Sequence, residues 1–459
     1  MKTQSIGAKF RHFSQQLLVT FTLTSAAFGV EIGTFSVDVT PPVGHQLLTG
    51  GGIDSTGVED PLYAKGFVLT DAEFKPVVFV SVDWAEIRGK AFDRWRDLLA
   101  STAETTRERV FVTSIHQHDT PLADLEAQRI LEKAGAEAQV IDLEFHEATV
   151  QRVAKALVEA LKSAEPVTHI GTGQAEVIDV ASNRRYVKPD GGFSYGRYSG
   201  GGDLVGRTAD VGVIDPMLKT ISFWNGEKAV CALSIYATHP MSYYRTGRMS
   251  ADFPGMARQK RQDETPDTLQ IYASGASGNV TVGKFNNGKR EMRAVFAERL
   301  HNGMNAAWEA TEKHEIGKLG FKNETLTLAP RTSAGYSRDE LTKKLAEATT
   351  RSKQSSAALG LSWLNRSETG QPIDVPMVDF GVAQLILLPA EIYVEYQIFA
   401  QSLRPDSFVM TAGYGECGPG YIPVEQAWEE KDGNLGGWCW VDPGAEAPIK
   451  KVLQQLLEK

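Results

Sequence analysis

The run Arg109-Val-Phe-Val-Thr-Ser-Ile-His-Gln-His-Asp-Thr-Pro121 constrains the fold of this chain more than any other stretch. Val110 to Ile115 has the length and β-branched content of a buried strand. The run stops at His116-Gln117-His118-Asp119, and Pro121 prevents the strand from continuing. Residues two apart on a strand face the same side, so His116 and His118 project together from its carboxyl end. In open α/β sheets ligands bind at that end. Two imidazoles and a carboxylate there fit a metal or proton-transfer site. A polar turn with incidental histidines is the plainer alternative.

Other segments supply a sheet for this strand to join. Residues 33–40 alternate like a strand and run into Pro41-Pro42. Residues 64–70 and 76–82 read as two strands around a 71–75 turn, with a helix at 91–103 before the histidine strand. Residues 143–161 carry the clearest helical period, with Val150, Val153, Leu157 and Leu161 on one face. Strands are expected again at 218–224, 229–237, 269–273, 382–388 and 408–412. Helices are expected at 291–310, from Glu391 to about Leu403, and at 448–457. Residues 322–375 are more polar and read as a peripheral excursion with one helix, 338–350. Strands alternating with helices give an α/β class: a mixed sheet core flanked by helices, in one large catalytic domain over residues 29–459.

The first 28 residues resemble a secretory leader. Lys2, Lys9 and Arg11 form a positive start, residues 17–28 an apolar core, and Ser25-Ala26-Ala27 a small-residue cleavage site. That core is too short to span a bilayer. The mature chain is therefore expected to be secreted or periplasmic, with no transmembrane segment. Net charge is −9 with no basic stripe, so nucleic acid is not an expected partner. Three cysteines do not make a disulfide framework; Cys231 reads as a buried thiol, and Cys417 and Cys439 as a candidate pair.

Chemistry-bearing residues recur at strand ends. His239 follows 229–237 in the pattern of the opening strand, Glu391 follows 382–388, and the loop after 408–412 contains Glu416 and Tyr421. Imidazoles with a carboxylate and further oxygen donors make a zinc-like set. Asp83 and Asp252 also follow strands, as turn or capping residues or as supports for the histidines. The glycine-dense, aromatic stretch 186–211 reads as a substrate-covering loop. Amidohydrolase barrels need an eightfold strand–helix rhythm that is missing here, and His116-Gln-His118-Asp119 does not match the His-x-His-x-Asp-His of metallo-β-lactamases. Gly275-Ala-Ser277-Gly-Asn279 fails the Gly-x-Ser-x-Gly pattern at its last position, which leaves Ser277 a weak nucleophile.

Together these motifs resemble the catalytic domain of the neutral, non-lysosomal ceramidases. The family's His-Thr-His-(Ser/Ala)-Gly-Pro is similar to His116–Pro121, and its Ala-(Thr/Val)-His-Gly-Thr-Ser-Met to Tyr236-Ala-Thr-His239-Pro-Met-Ser242. Its Pro-Gly-Glu is similar to Pro389-Ala390-Glu391, and its Gly-Tyr-x-x-Thr-x-Glu-Glu-Tyr to Gly420-Tyr421-Ile-Pro-Val-Glu425. The resemblance runs from about residue 33 to 445, and the chain stops where the family's immunoglobulin-like domain would begin. It implies Zn²⁺ held by His116, His239, Glu391 and Tyr421. It implies catalytic roles for His118 and for Arg184 of the Asn183-Arg184 pair. A looser match, Ala276-Ser-Gly-Asn279-Val-Thr281, implies the same for Asn279 and Thr281. The implied activity is zinc-dependent cleavage of an N-acyl, ceramide-like amide in a small-molecule substrate, lipids among the candidates. A zinc esterase or lactonase acting on a lipid or sugar ester is the alternative within hydrolases. A non-catalytic secreted binding protein of the same fold is the alternative outside them.

Overall fold

Alternating and apolar runs pair into three principal sheets. The computed structural model describes Met1 and residues 29–47, 52–201 and 203–458; the leader expected over residues 1–28 lies, Met1 aside, outside them. The first sheet has the order Glu165–Pro166, Glu31–Asp38, Tyr63–Asp71, Phe74–Val82, Val110–Ser114. The second runs Leu269–Ser274, Lys228–Tyr236, Met217–Asn225, His169–Glu176, Glu312–Glu315. The third runs Gly320–Leu326, Ile373–Asp379, Ala383–Leu387, Phe408–Ala412.

One face of each sheet turns to a shared core. Phe67, Phe79 and Phe111 of the first meet Phe223, Leu233 and Ile271 of the second and Leu385 and Met410 of the third. Phe67 stacks on Phe79 at 5.4 Å and tilts against Phe223 at 5.1 Å. Each such buried side chain contributes about 1.5–3 kcal/mol. Helices cover the outer faces. The Leu143–Lys162 helix, capped by Asp142 on the Phe145 N–H at 2.8 Å, lays Val150, Val153 and Leu157 on the first sheet. Met292–Glu309 and Asp252–Glu264 cover the second, and Arg351–Glu368, Val394–Leu403 and Glu446–Leu457 the third.

The expected α/β architecture is present, with two corrections. Residues 322–375 are not peripheral, because the Gly320–Leu326 and Ile373–Asp379 strands belong to the third sheet. They also hold two helices. The first, Arg338–Glu347, ends before Thr350, whose side chain caps the second, Arg351–Glu368. That second helix buries Ala357, Ala358, Leu359, Gly360, Leu361 and Trp363. Cys417 and Cys439 are unpaired: both are buried free thiols, as is Cys231. Among the described residues no helix is long and apolar enough to cross a membrane.

Each sheet contains one parallel pair, and these pairs decide where the site lies. They are Phe74–Val82 with Val110–Ser114, Lys228–Tyr236 with Leu269–Ser274, and Ala383–Leu387 with Phe408–Ala412. Parallel strands point their carboxyl ends the same way, and here the three sets of ends are stitched together. Ser114 N–H donates to the Tyr414 carbonyl at 3.1 Å and Gly413 N–H to that of Ser274 at 2.8 Å. Ser274 Oγ donates to the Ile115 carbonyl at 2.8 Å, and Thr113 Oγ1 to that of Gly413 at 2.7 Å. The histidines and Glu391 emerge at this junction.

Candidate metal centre

His116 leaves its strand with φ +78°, a left-handed conformation that costs a non-glycine residue about 1–2 kcal/mol. Its N–H donates to the Trp84 carbonyl at 3.0 Å, and its Nδ1 donates to the Ala85 carbonyl at 2.9 Å. His239 is held in the same way from the second sheet, N–H to the Val280 carbonyl and Nδ1 to the Ser277 carbonyl, both at 2.9 Å. A backbone acceptor at Nδ1 selects the tautomer in which Nε2 keeps its lone pair. Glu391 arrives from the third sheet after Ala390, itself at φ +53°. Its Oε2 lies 3.2 Å from both Nε2 atoms.

Three atoms able to ligate a metal thus converge, and Glu391 Oε2 has no hydrogen-bond partner although the residue is 1% exposed. Two ligands each about 2.0–2.1 Å from a tetrahedral ion stand about 3.3 Å apart, close to the observed spacing. The donor set fits a metal ion. Burial favours a neutral Glu391, but His116 and His239 outweigh it and hold the carboxyl well below its usual range. His239 falls to about 4, through burial first and the Arg184 charge second.

The remaining implied residues surround this trio. Tyr421 lies in register with Glu391 on a short parallel ladder, Glu391–Ile392 with Tyr421–Ile422. Its hydroxyl accepts from Arg184 Nη1 at 2.8 Å, and Arg184 Nη2 faces His239 Nε2 at 3.3 Å. Burial pushes the Tyr421 phenol up and Arg184 works against it. The His118 ring stands 5.1 Å from that of His116 and 5.9 Å from that of His239, and its buried Nε2 has no hydrogen-bond partner. Ligand atoms of His116, His118 and His239 lie within 4.8 Å of one another, as do those of Glu86, His116 and Glu391.

The family model described as "Neutral/alkaline non-lysosomal ceramidase, N-terminal" matches residues 30–285. The chain belongs to that family. No curated protein matches it in sequence. Among solved structures it is similar to the neutral ceramidase from Pseudomonas aeruginosa, with TM-score 0.70 and 16% identity over 94% of this chain and 74% of that one. It is also similar to a ceramidase complexed with C2, with TM-score 0.68 and 16% identity over 94% and 75% of the two chains. At that identity the likeness is one of fold. The family match includes His116, His118, Arg184 and His239, whereas Glu391 and Tyr421 lie beyond it.

In this ceramidase-family chain Asn279 and Thr281 enter the site differently from the sequence expectation. The Asn279 side chain is engaged with the Val394 N–H and the Glu395 carboxylate, and Thr281 Oγ1 donates to the Arg197 carbonyl. Their segment acts through its backbone: the Asn279 carbonyl accepts from Arg184 N–H at 2.7 Å and the Val280 carbonyl from His239 N–H. Asp83 pairs with Arg258 through both oxygens, and Asp252 with Arg293 and the Ser242 N–H, so both brace loops. Ser277 is buried, with Oγ 2.7 Å from the Tyr414 hydroxyl. The 186–211 stretch is anchored by buried Arg197 on backbone carbonyls and by Tyr195 on Glu430, which also pairs with the preceding Arg185.

Two residues at the centre are not among those the sequence singled out. Tyr414 stacks on His116 at 4.6 Å. Glu86, fully buried, lies 3.8 Å from His116 Nδ1, pairs with Arg88 at 3.0 Å and accepts from Trp438 Nε1 at 3.1 Å. Burial pushes Glu86 up to about 7 against the pull of Arg88. Its one legible mark was its place just past a strand end, after Asp83-Trp84-Ala85.

Proposed function

We propose that this chain is an exported zinc-dependent hydrolase that cleaves an N-acyl amide bond of the ceramide kind. The observation that carries the reading is the meeting of His116 Nε2, His239 Nε2 and Glu391 Oε2 at 3.2 Å, with Nδ1 of both imidazoles tied to backbone carbonyls. Tyr421 is the fourth ligand in this reading; burial favours its neutral phenol, and the adjacent Arg184 charge works toward the phenolate. Zinc, when bound, polarises an acyl carbonyl and makes a water molecule acidic enough to attack near neutral pH.

The protein's own groups do the rest. His118 takes a proton at Nε2 transiently and returns it to the departing amine, since burial and the neighbouring His116 and His239 disfavour its charged form. Arg184 directs two N–H groups into the centre and stabilises the oxyanion that forms on the carbonyl oxygen. Export rests on the basic start, apolar core and small-residue cleavage site of residues 1–28. The test is metal analysis and turnover of an N-acyl amide panel, ceramide included, with and without chelator. Stoichiometric zinc and chelator-sensitive amide cleavage are expected in the wild type, and neither in His116→Ala/His239→Ala. Equal, negligible zinc in both proteins removes the proposal.

A further inference from the structure

Two of the three imidazoles at the centre are oriented by a bond, and the third is not. His116 and His239 each donate from Nδ1 to a backbone carbonyl, at Ala85 and Ser277. Among the described residues neither ring nitrogen of His118 has a hydrogen-bond partner, and its Nε2 is buried. An imidazole with no bond at Nδ1 is turned only by what packs against it. Three rings do so: His116 at 5.1 Å, His239 at 5.9 Å and Tyr244 at 5.4 Å. The first two belong to the candidate ligands, so Tyr244 is the ring contact brought from outside them. It meets His118 edge to face, at 74°, in the arrangement aromatic pairs favour. The Tyr244 hydroxyl bonds to no described residue, so its ring makes the contact.

Tyr244 lies in the loop 240–247, which leaves His239 and is tied down on two sides. On one side the Asp252 carboxylate accepts the Ser242 N–H at 3.2 Å. Asn286 Nδ2 donates to the Ser242 carbonyl at 2.6 Å, and Arg293 Nη2 to that of Tyr243 at 3.1 Å. On the other side stands Asp119, 3% exposed. Its Oδ1 accepts the Arg245 N–H at 2.9 Å, and its Oδ2 accepts Thr246 N–H at 3.2 Å and Oγ1–H at 2.7 Å. Arg245 takes φ +65°, a left-handed conformation that these bonds hold in place. Asp119 follows His118 in the chain, and Arg245 follows Tyr244. Covalent bonds, hydrogen bonds and the ring contact therefore close a circuit through the four residues. The resembled motif has serine or alanine at position 119, and neither offers two acceptor oxygens.

We propose that Asp119 and Tyr244 are positioning residues for His118: Asp119 latches the loop, and Tyr244 fixes the angle of the imidazole. The effect on rate rests on the amide-hydrolase reading above, whereas the latch itself is read without turnover. The test uses zinc-loaded protein with labelled histidine and aromatic rings. It measures the nuclear Overhauser contact between residues 118 and 244, together with kcat and KM for a short-chain ceramide. The contact is expected in the wild type and in Tyr244→Phe, and is expected to weaken at least twofold in Asp119→Asn. Zinc stays stoichiometric throughout. Asp119→Asn and Tyr244→Leu are expected to lower kcat about tenfold with KM within about twofold, and Tyr244→Phe to restore the wild-type rate. Tyr244→Leu should cost nothing further in a His118→Asn background, because the two changes remove one function. A contact unmoved in Asp119→Asn, a loss of zinc in Tyr244→Leu, or losses that add to that of His118→Asn overturn the inference and leave the hydrolase standing. A wild type that cleaves no amide yet shows the contact, weakened in Asp119→Asn, keeps the latch and sinks the hydrolase.

Discussion

The candidate centre draws on two regions that are built differently. Residues 30–285 carry the family match and supply His116, His118, Arg184 and His239 from the first two sheets and their loops. The later region supplies Glu391, Tyr421, the Arg351–Glu368 helix and Trp438, and with them much of the wall of a cavity beside Tyr421. In the first region the site side chains are fixed by bonds to nearby backbone carbonyls, as at Ala85 and Ser277. In the second they are fixed by a short ladder, while left-handed residues serve both regions, His116 at φ +78° in the first and Ala390 and Tyr414 at φ +53° and +56° in the second. The contrast teaches that the imidazoles are set locally, whereas the carboxylate depends on how the third sheet docks.

The sharpest way to break this division is to remove a ligand from each side. His239→Ala and Glu391→Ala are both expected to lose stoichiometric zinc and to lower amide turnover by about 10³-fold or more, since zinc supplies several kcal/mol of transition-state stabilisation. Metal analysis and initial rates check this. A Glu391→Ala protein that keeps its zinc and its rate would make the later region dispensable.

The seam between the regions comes next. Gly278 N–H donates to the Ile392 carbonyl at 2.9 Å, and a Cβ at 278 would collide with the Glu391 carbonyl. Gly278→Ala is expected to lower unfolding stability by about 2–3 kcal/mol, as over-packing does elsewhere. It should also weaken zinc retention more than His118→Asn does. Denaturant midpoints and competition with a chelator read the two effects.

Acid sensitivity separates the regions more gently. His146, on the Leu143–Lys162 helix, is buried and lowered to about 4, with burial the main cause. An unfolded histidine titrates near 6.5, so between about pH 6.5 and 4 the unfolded chain binds a proton that the native chain does not. Stability therefore falls as pH drops through that window, by up to about 1.4 kcal/mol per pH unit from this group. His146→Phe is expected to flatten the slope, measured as unfolding free energy against pH. An unchanged slope would show that His146 does not carry it.

The smallest expected effect is a gain. Ala390 stands where the resembled motif has glycine, and it pays for its positive φ in strain. Ala390→Gly is expected to stabilise the fold by about 1 kcal/mol, with zinc content unchanged. A loss of stability would mean that neighbouring contacts, not backbone strain, govern that turn.

What the sequence revealed depended on local signal in both regions. The 110–115 strand and the 143–161 helix were legible because β-branched runs and a 3.6-residue period announce themselves locally. The Arg351–Glu368 helix was not, because its buried face mixes Ala357, Ala358, Gly360 and Ser362 with few large apolar residues. Small residues bury well against a neighbouring segment yet leave little periodic signal. Tyr414 and Glu86 reach His116 only after three parallel strand pairs have been stitched together, a juxtaposition that no spacing encodes. The motif residues themselves were readable because each lies within a few positions of a strand end.

One ladder described above has a mechanical meaning. Tyr421 N–H donates to the Trp438 carbonyl at 2.8 Å, Gly420 bridges to Cys439, and Glu391 N–H donates to the Gly420 carbonyl at 3.1 Å. The Trp438 indole and the two oxygen donors of the centre therefore share one stretch of paired backbone. A change that displaces Trp438 is expected to re-aim Glu391 and Tyr421 together.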